Sequence, residues 1–569
     1  MISETEHLAR LAALHADSWP AGRAREVSFP LGEIALSDHL RHWGKVRPEV
    51  PAVIYYGRAI SYAELDAAAD RFAGLLAGAG IGKGDRVAVF LPNCPQFHIA
   101  FYGILRLGAV HCPVSPMSTA FELEHHLRDT GARALVAQDA LMPVARAAMG
   151  AGRVETVWTT ALSEMAPARP TMDLPPVVAA APVACPDARD LLTDLAGADR
   201  PDFPPADPHA LAALNYTGGT TGLPKGCMHS QHHMLWTAAS NWSVTRGSEA
   251  DEASAVALSL FPEFWIAGEN AALIMPVFAG RPVVLMTRWD PVAVMQGVAA
   301  HGVTQMALTV DGAVELLDHP RFGEFDLSSL RRVRVVSFIR KLDRAVRARW
   351  KAATGTVLAE SAWGMTETHT SNTFTAGMQD DDFDLKQEPI FVGLPVPGND
   401  FKICDFDSGA ILPIGAEGEI CVRGPAIMSG YWGRPEATAE ALRDGWLHSG
   451  DIGRIGPGGH LHYLGRRKEM LKVRGMSVFP AEIEAVLATH PAVAACGVIG
   501  RSDPRAGQVP VAFVQLRAGE DAEGLDAWLA ERLAAYKRPE VRVLEAMPLT
   551  ATGKVKKTAL SDLLPAVSA

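Results

Sequence analysis

Two hydrophobic patterns alternate along the first 140 residues of the chain. Patterns typical of amphipathic or buried helices cover residues 36–46, 61–76, 95–107 and 120–129. Short apolar runs typical of strands lie between them, at residues 52–56, 85–91, 110–113 and 134–137. Because helices and strands alternate, we predict a mostly parallel sheet covered by helices.

The patterns change in the second half of the chain. Residues 392–453 carry short apolar alternations broken by Gly and Pro turns, which predicts a small antiparallel β unit. The last hundred residues predict a compact α+β domain. Residues 1–33 are predicted to be a loose amphipathic lead-in. Residues 165–210, rich in Pro, Ala and Asp, are predicted to be a long surface connection.

A glycine- and threonine-rich stretch, Thr-Gly-Gly-Thr-Thr-Gly-Leu-Pro-Lys-Gly, occupies residues 217–226 after a predicted buried strand. Glycines let a backbone turn tightly, and successive free N–H groups form a concave anion site. Hydroxyl donors and one lysine add to this, so the stretch predicts a polyphosphate-binding loop. It differs from the common P-loop because Pro224 precedes the lysine. The candidate phosphate-binding residues are Thr217, Gly218, Gly219, Thr220, Thr221, Gly222 and Lys225.

Composition narrows the class of protein. The formal net charge of -11 argues against a nucleic-acid-binding surface. The seven cysteines include no Cys-x-x-Cys pair, which suits a reducing compartment and predicts neither a disulfide framework nor a zinc site. The N-terminus lacks a secretory apolar segment, and apolar runs such as residues 271–286 are interrupted by Pro276 and Arg281. We therefore expect a cytoplasmic protein without a membrane span.

Several motifs together resemble one family. Residues 216–226 resemble the signature of the adenylate-forming superfamily, which includes acyl-CoA synthetases, adenylation domains of peptide synthetases and firefly-type luciferases. The Thr-Gly-Gly variant is similar to that of many fatty-acyl-CoA ligases. Residues 363–368, Trp-Gly-Met-Thr-Glu-Thr, are similar to the family's aromatic-Gly-x-Thr-Glu motif. With the segments at 446–453, 465–475 and 549–555, the resemblance covers nearly the whole chain.

The resemblance implies a fold of mixed α/β and α+β class. A large N-terminal domain of helix-covered β-sheets with a small β unit would span residues 1–465. A hinge at 466–469 would connect it to a small mobile α+β domain at 470–569.

The resemblance also implies roles in nucleotide binding. Trp363 offers a face to the nucleobase, with Gly364 and Met365 completing that turn. Thr366 donates to the α-phosphate. Glu367 supplies the hard oxygen ligand that Mg²⁺ prefers.

The same resemblance implies further roles for residues towards the C-terminus. Asp451 clamps the ribose hydroxyls, Arg466 lies beside it, and Lys554 is the catalytic lysine of adenylation. Lys468 sits at the pivot of the hinge. The thioester step is assigned to Lys472, Arg474 and Gly475, and the acyl tunnel is bordered by Trp265.

The implied function is ATP-dependent ligation of a carboxylic acid to the thiol of CoA, through an acyl-adenylate and release of pyrophosphate. Trp265 and the Thr-Gly-Gly variant favour a medium- or long-chain fatty acid. The partners are then a small-molecule acid, ATP and CoA, with Mg²⁺ as cofactor; a homodimer is left open.

Other interpretations remain open at this stage. The acid could be an aryl acid, or a diacid met by Arg340, and the acceptor could be a carrier protein. A catalytically silent nucleotide-binding scaffold is the alternative outside enzymes, because residues 338–341 depart from the family's Gly-rich turn. His229, His232 and His233 would share one helix face, where a solvated surface is favoured over a metal site.

Overall fold

The structure is a computed structural model of the 569-residue chain. It describes residues 3–150, 154–217, 224–337, 340–360, 362–387, 390–473, 476–503, 506–550 and 553–564, without the side chains of Lys472 and Ser477. Four main sheets and the helices around them account for this part of the chain.

The first parallel sheet has seven strands and ends in the candidate phosphate loop. All its strand pairs are parallel except the last, in which the loop residues connect two antiparallel strands. In sheet order the strands are Arg189–Asp190, Thr156–Thr160, Ala134–Gln138, Arg86–Phe90, Val110–Pro113, Leu211–Tyr216 and Gly226–Ser230.

The second parallel sheet also has seven strands, with one antiparallel edge pair. Ligands of such open sheets bind beyond the carboxyl ends of the strands, where connecting loops converge. In sheet order the strands are Leu358–Glu360, Arg332–Val336, Gln305–Thr309, Ala257–Ser259, Val283–Leu285, Pro51–Tyr55 and Arg58–Ser61.

One apolar core joins the two parallel sheets. The helix Pro95–Leu107 lies within it, and every residue from Pro95 to Arg106 is buried. Such a helix must be apolar on all sides, and the one charged side chain among these residues is neutralised. Arg106 contacts the carboxylates of Asp66 and Asp70.

An antiparallel sheet follows, together with a two-stranded ribbon formed by Gly364–Met365 and Thr370–Ser371. This sheet is the small β unit expected between residues 392 and 453. Its strands are Thr373–Phe374, Ile390–Pro395, Leu461–Arg466, Trp446–Ile455, Glu417–Arg423 and Asp400–Cys404, with Leu442–Arg443 paired to Trp446–Ile455.

The C-terminal sheet has its own apolar core. The helices Pro480–Ala488 and Leu525–Arg532 pack on it, as the apolar pattern of this region predicts. Its strands are Met476–Val478, Leu471–Val473, Gly507–Leu516 and Val493–Asp503, with Glu540–Leu544 added in parallel to Gly507–Leu516. The overall class is therefore mixed, with helix-covered sheets followed by a small α+β unit.

The remaining α-helices surround these sheets. Most of the early ones match the predicted bounds to within two residues. They are Glu4–Ser18, Leu36–Val46, Tyr62–Gly78, Ala120–Thr130, Met142–Met149, Pro176–Ala179, Leu191–Gly197, Gln231–Thr245, Glu249–Ala253, Ile266–Gly268, Met275–Ala279, Pro291–His301, Val310–Asp318, Arg344–Thr354, Pro435–Ala441 and Lys557–Ser561.

The predicted lead-in and the predicted surface connection both contain regular elements. The lead-in contains the helix Glu4–Ser18, which begins with a reciprocal capping box between Ser3 and Glu6. The segment 165–210, predicted to be a long surface connection, contains two short helices and an edge strand. No helix in the described ranges combines the length and the apolar character needed to cross a bilayer.

Candidate active site

The glycine- and threonine-rich stretch connects two antiparallel strands. The backbone N–H of Thr217 donates to the carbonyl of Lys225 at 2.9 Å, which closes the base of the loop. The Lys225 ammonium lies 4.1 Å from the centroid of the Tyr431 ring. Gly218, Gly219, Thr220, Thr221 and Gly222 lie outside the described residues, so their contact with phosphate stays a prediction.

The aromatic-Gly-x-Thr-Glu motif lies beside the antiparallel sheet. Trp363 is only 6% exposed, and its ring packs edge-on against Phe401 at 5.6 Å. Its indole N–H donates to Oδ2 of Asp451 at 2.9 Å. The predicted open face for a nucleobase is therefore largely covered, and the contact that the structure gives Trp363 is one that orients Asp451.

The two residues after Trp363 form a tightly packed ribbon. An added Cβ at Gly364 would lie 1.8 Å from the carbonyl oxygen of Thr370, so any side chain here displaces backbone. Met365 pairs with Thr370, and His369 and Thr370 have φ of 52° and 84°. Left-handed backbone at a β-branched residue is strained, and such strain is typical of functional turns.

Glu367 lies in the short 3₁₀ turn Thr366–Thr368, at the edge of the cleft. Its Oε1 accepts from the hydroxyl of Tyr431 at 2.8 Å, and its carbonyl accepts from Met428. The same tyrosine ring contacts Lys225, so the loop lysine and the motif carboxylate share one neighbour. Burial, together with Glu367, raises the pKa of the Tyr431 phenol, which remains protonated and donates.

A buried polar chain that the sequence did not reveal connects the two motifs. Asn215, two residues before Thr217, donates to Glu269 at 2.8 Å. Glu269 lies 3.7 Å from Nε2 of His369, whose ring meets His229 edge-on at 4.8 Å. His229 bonds in turn to the carbonyl of Thr366 at 2.9 Å. This chain positions the start of the loop relative to the Thr366 turn.

The predicted face of three histidines was wrong. His229 is the penultimate residue of a strand, whereas His232 and His233 lie on the helix Gln231–Thr245 that follows. Burial lowers the pKa of His229 and of His233, the latter to about 3, so both imidazoles are neutral near pH 7. They serve as hydrogen-bonding groups in the structure.

Asp451 and Arg466 meet on neighbouring strands, in register with one another. Nε of Arg466 lies 3.1 Å from Oδ1 of Asp451. Burial raises the pKa of the Asp451 carboxyl, while the guanidinium opposes that shift. The guanidinium pKa is raised in return by Asp451. The pair has the carboxylate expected of a ribose clamp, and the Arg466 side chain remains 44% exposed.

Lys554 of the C-terminal domain reaches this same cleft. It follows Gly553, whose φ of 79° allows a tight turn, and the backbone N–H of Thr550 donates to the Lys554 carbonyl at 2.7 Å. Its ammonium lies 5.7 Å from the centroid of the Trp265 ring. Surrounding protein and Arg466 lower the pKa of Lys554, while Asp451 acts in the opposite direction.

A cavity of about 600 Å³ begins near Trp265. Trp265 packs edge-on against Phe261 at 6.0 Å, and Phe261 lines the cavity together with Leu258, Met275 and Met306. Trp265 itself is not in the lining, but it contacts both the lining residue Phe261 and the Lys554 ammonium. The cavity lies along the second parallel sheet, in the size range of small-molecule sites.

Arg340 does not face this cavity. Its backbone N–H donates to Asp311 at 3.2 Å, and its Nε lies 4.0 Å from the same carboxylate. The suggestion that Arg340 meets a diacid was therefore wrong; the cavity is lined instead by Arg334, six residues earlier. Phe338 and Ile339 lie outside the described residues.

The residues predicted for the hinge and the thioester step are only partly described. Lys468 lies in the 3₁₀ turn Arg467–Glu469, between the antiparallel and C-terminal sheets. The backbone of Lys472 pairs with Ser477. Arg474 and Gly475 lie outside the described residues, so their role stays a prediction.

A magnesium ion is implied by the family resemblance, and the donor set fits it. Within the described residues, the Tyr431 hydroxyl engages Oε1 of Glu367, and Oε2 is left to serve as a ligand. Mg²⁺ is usually held by one or two carboxylates, with substrate phosphates and water completing its shell.

A second group of ligand-type side chains lies outside the cleft. Ligand atoms of Glu419, Cys421 and His448 all lie within 4.8 Å of one another on the antiparallel sheet. Nδ1 of His448 is 2.7 Å from Glu419, and Arg443 lies 3.5 Å from the same carboxylate. Strand pairing creates this proximity, which the spacing of cysteines in the sequence does not indicate.

The cleft can neutralise and position a polyphosphate. Arg466 pairs with Asp451, and the charge of Asp451 also acts on Lys554. Lys225 and Glu367 both contact Tyr431. Groups of this kind stabilise charge that develops on transferring phosphoryl groups. The adjoining cavity can hold an organic substituent, so a nucleotide and an organic acid could meet beside Trp265.

Comparisons with known proteins identify the family of the chain. A family model described as AMP-binding enzyme matches residues 40–432, and one described as AMP-binding enzyme C-terminal domain matches residues 482–554. A long-chain-fatty-acid–CoA ligase of Bacillus subtilis (strain 168) is 32% identical over 541 residues, covering 90% of this chain and 92% of that protein.

A feruloyl-CoA synthase of Amycolatopsis sp is 33% identical over 544 residues, covering 95% of this chain and 97% of that protein. Among solved structures, an anthranilate CoA ligase, AuaEII, in complex with anthranoyl-AMP superposes with a TM-score of 0.78 at 26% identity. It covers 93% of this chain and 97% of that one.

Proposed function

The chain belongs to the AMP-binding enzyme family and is an acyl-CoA synthetase, and we propose that it joins a carboxylic acid to CoA through an acyl-adenylate. The observation that carries the proposal is the convergence of Lys554 with Asp451 and Arg466 beside an acid-sized cavity. These residues are distant in sequence and belong to two domains.

In the first step the carboxylate oxygen attacks the α-phosphate of ATP. An acyl–O–P bond forms, the bond to the β-phosphate breaks, and pyrophosphate leaves. Both reactants are anions, so catalysis consists mainly of positioning and charge neutralisation. Lys554 and Lys225 supply positive charge, and Asp451 clamps the ribose. Mg²⁺ held by Glu367 would neutralise phosphate charge.

In the second step the CoA thiolate attacks the acyl carbonyl and AMP leaves. The space beside Trp265 that Lys554 occupies must then be cleared for the thiol. We propose that the C-terminal domain, residues 470–569, rotates about residues 466–469, with Lys468 as the pivot. Lys472, Arg474 and Gly475 would then line the path of the pantetheine arm.

The lining of the cavity indicates the kind of acid that the site accepts. Apolar side chains such as Leu258, Phe261 and Met306 near Trp265 support an acyl or aryl group, and a medium- or long-chain fatty acid is the substrate that the motifs favour. The relatives above include ligases named for a fatty acid and for aryl acids.

Product analysis tests the proposal. With ATP, Mg²⁺, CoA and a panel of fatty, aryl and dicarboxylic acids, we expect AMP, pyrophosphate and an acyl-CoA in equal amounts. The same panel with a carrier protein in place of CoA should give pyrophosphate without comparable thioester. Formation of ADP, or thioester on the carrier alone, would contradict the proposal.

A further inference from the structure

One cationic side chain of the acid cavity differs from the rest. Arg334 lies in the middle of the strand Arg332–Val336, inside the second parallel sheet. The residue is exposed to solvent, and the protein around its guanidinium lowers the pKa of that group. Arg334 is one of the residues that line the cavity of about 600 Å³.

No carboxylate neutralises Arg334 in the part of the chain that the structure describes. The charge that acts on the pKa of its guanidinium is another cation, Arg332, which disfavours the charged form further. Glu360 also lines the cavity, but both its oxygens accept from the backbone N–H and hydroxyl of Ser337. Arg334 is therefore a cation on the cavity wall whose guanidinium donors no carboxylate occupies, and an anionic ligand can complete such an arrangement.

The other arginines of the cavity already have partners. Glu252 pairs with Arg281 and lies 2.9 Å from Arg332, which also donates to the carbonyl of Thr245. One carboxylate, that of Glu252, thus pairs with two guanidinium groups. These three side chains carry a net positive charge, to which Arg334 adds another. Arg23, at the same cavity, donates to a backbone carbonyl.

The position of Arg334 suits the remote end of a substrate. Phe261, next to Trp265, lines the cavity on the side where Lys554 lies. Ser337 marks the carboxyl end of the strand, and Arg334 lies three residues before it, about 10 Å deeper at the usual rise of a strand. Leu258, Met275 and Met306 line the same cavity and can contact an apolar linker.

We propose that the preferred acid carries a second carboxylate at the end remote from the activated carboxyl group, and that Arg334 binds it. This inference rests on the proposed function, because it names the substrate class of the same site. A guanidinium binds a carboxylate through two parallel N–H donors, which gives both charge compensation and orientation. A long-chain monocarboxylic acid would leave this guanidinium unpaired.

The test compares three matched series of acids in pyrophosphate release by the full-length protein. The series are straight-chain dicarboxylic acids of graded length, their monomethyl esters, and monocarboxylic acids of the same length. We expect kcat/KM to be about 10²-fold higher for the best diacid than for its monomethyl ester. A wild-type enzyme that prefers the ester or a long monocarboxylic acid overturns the inference and leaves the proposed function intact.

Substitutions test whether Arg334 is the residue that binds the second carboxylate. Arg334→Met keeps the length and apolar stem, and it should lower kcat/KM for the diacid about 10²-fold while raising activity on the monomethyl ester. Arg334→Lys should restore part of the diacid activity. Arg349→Met, which removes an exposed cation that pairs with Asp318, is the matched control and should leave the preference unchanged.

Ligand-induced thermal stabilisation of the wild-type protein tests the inference even if the Arg334 variants fold poorly. The diacid should raise the thermal unfolding temperature of the wild type, and added salt should weaken the rise. Its monomethyl ester should give a smaller rise. Equal shifts for both ligands overturn the inference. If no acid releases pyrophosphate, the proposed function fails too, which distinguishes the two failures.

Discussion

The nucleotide side of the cleft and the acid cavity differ in how their charges are satisfied. On the nucleotide side, Asp451 already contacts Trp363 and Arg466, and Glu367 contacts Tyr431. In the acid cavity, Arg334 has no carboxylate partner in the described residues. One side is electrostatically organised before any ligand binds, whereas the other needs a ligand to be complete.

This difference indicates that the nucleotide side determines the rate of the chemistry and that the acid cavity determines which acid is selected. Preorganised groups need not reorient during the reaction, which is why they stabilise a transition state effectively. An unpaired cation instead discriminates among acids, because an acid lacking a matching anion leaves it uncompensated. We therefore expect substitutions on the nucleotide side to affect every acid alike, and substitutions in the cavity to change which acid is preferred.

The largest effect is expected at the metal ligand. Glu367→Gln removes the charge proposed to bind Mg²⁺ but keeps an oxygen that Tyr431 can donate to. Adenylation should fall about 10²–10³-fold for all acids, and saturation should need more Mg²⁺. Titration of pyrophosphate release against Mg²⁺ measures both quantities, and EDTA should abolish the reaction.

Tyr431→Phe is the control for that prediction, since it removes the hydrogen bond to Glu367 and leaves the carboxylate. It should have a smaller effect and a nearly normal Mg²⁺ requirement. An unchanged Mg²⁺ requirement in Glu367→Gln would refute the assignment of the metal ligand.

Next comes the ribbon that carries the motif. Gly364→Ala places a Cβ against the carbonyl of Thr370, so the backbone must shift. We expect the free energy of unfolding to fall by about 1–3 kcal/mol, with loss of ATP binding. Denaturant unfolding compares it with Gly78→Ala, where a Cβ meets nothing within 4 Å; equal stabilities would contradict the tight packing.

A smaller effect is expected at the ribose clamp. Asp451→Asn loses the charge that faces Arg466 but keeps an oxygen that can accept from Trp363. The KM for ATP should rise about tenfold, with less change in kcat, because the interaction binds the ground state and transition state alike. Steady-state kinetics with two different acids should give the same ratio; a loss confined to kcat would contradict this role.

The smallest effect is a shift along the pH axis. The pKa of Lys554 is lowered from its ordinary value of 10.5, so its ammonium loses the proton at a lower pH than an exposed lysine does. Since the ammonium is the active form, kcat/KM for adenylation should decline as pH rises, beginning below pH 10.5. Lys554→Arg should remove that decline from whatever activity remains, and an identical profile in both proteins would argue against Lys554.

Helix positions in this fold could be predicted from the sequence, because hydrophobic periodicity and capping residues within each segment determine them. The helices at 36–46 and 95–107 end where predicted, the second at Gly108 in a left-handed conformation. Short elements within connecting segments could not be predicted. An edge strand such as Arg189–Asp190 forms only because it pairs with a strand remote in sequence.

The site residues also fall into two groups, those that a motif identifies and those that only tertiary packing brings into the site. Motif residues such as Glu367, Asp451 and Lys554 could be named from resemblance, but the approach of Lys554 to Trp265 depends on how two domains pack. Arg334 carried no sequence signal, because a polar residue alternating with valines predicts only a half-exposed strand. Arg340 does not line the cavity, and its backbone N–H donates to Asp311, a residue remote in sequence whose proximity the sequence does not reveal.

The most direct test of the central claim separates the two half-reactions in Lys554→Ala. Acid-dependent pyrophosphate release should fall about 10²–10³-fold, because the variant lacks the ammonium that the C-terminal domain brings to the cleft. Thioester formation from supplied acyl-adenylate and CoA should proceed at nearly the wild-type rate. An equal loss in both half-reactions would contradict the account.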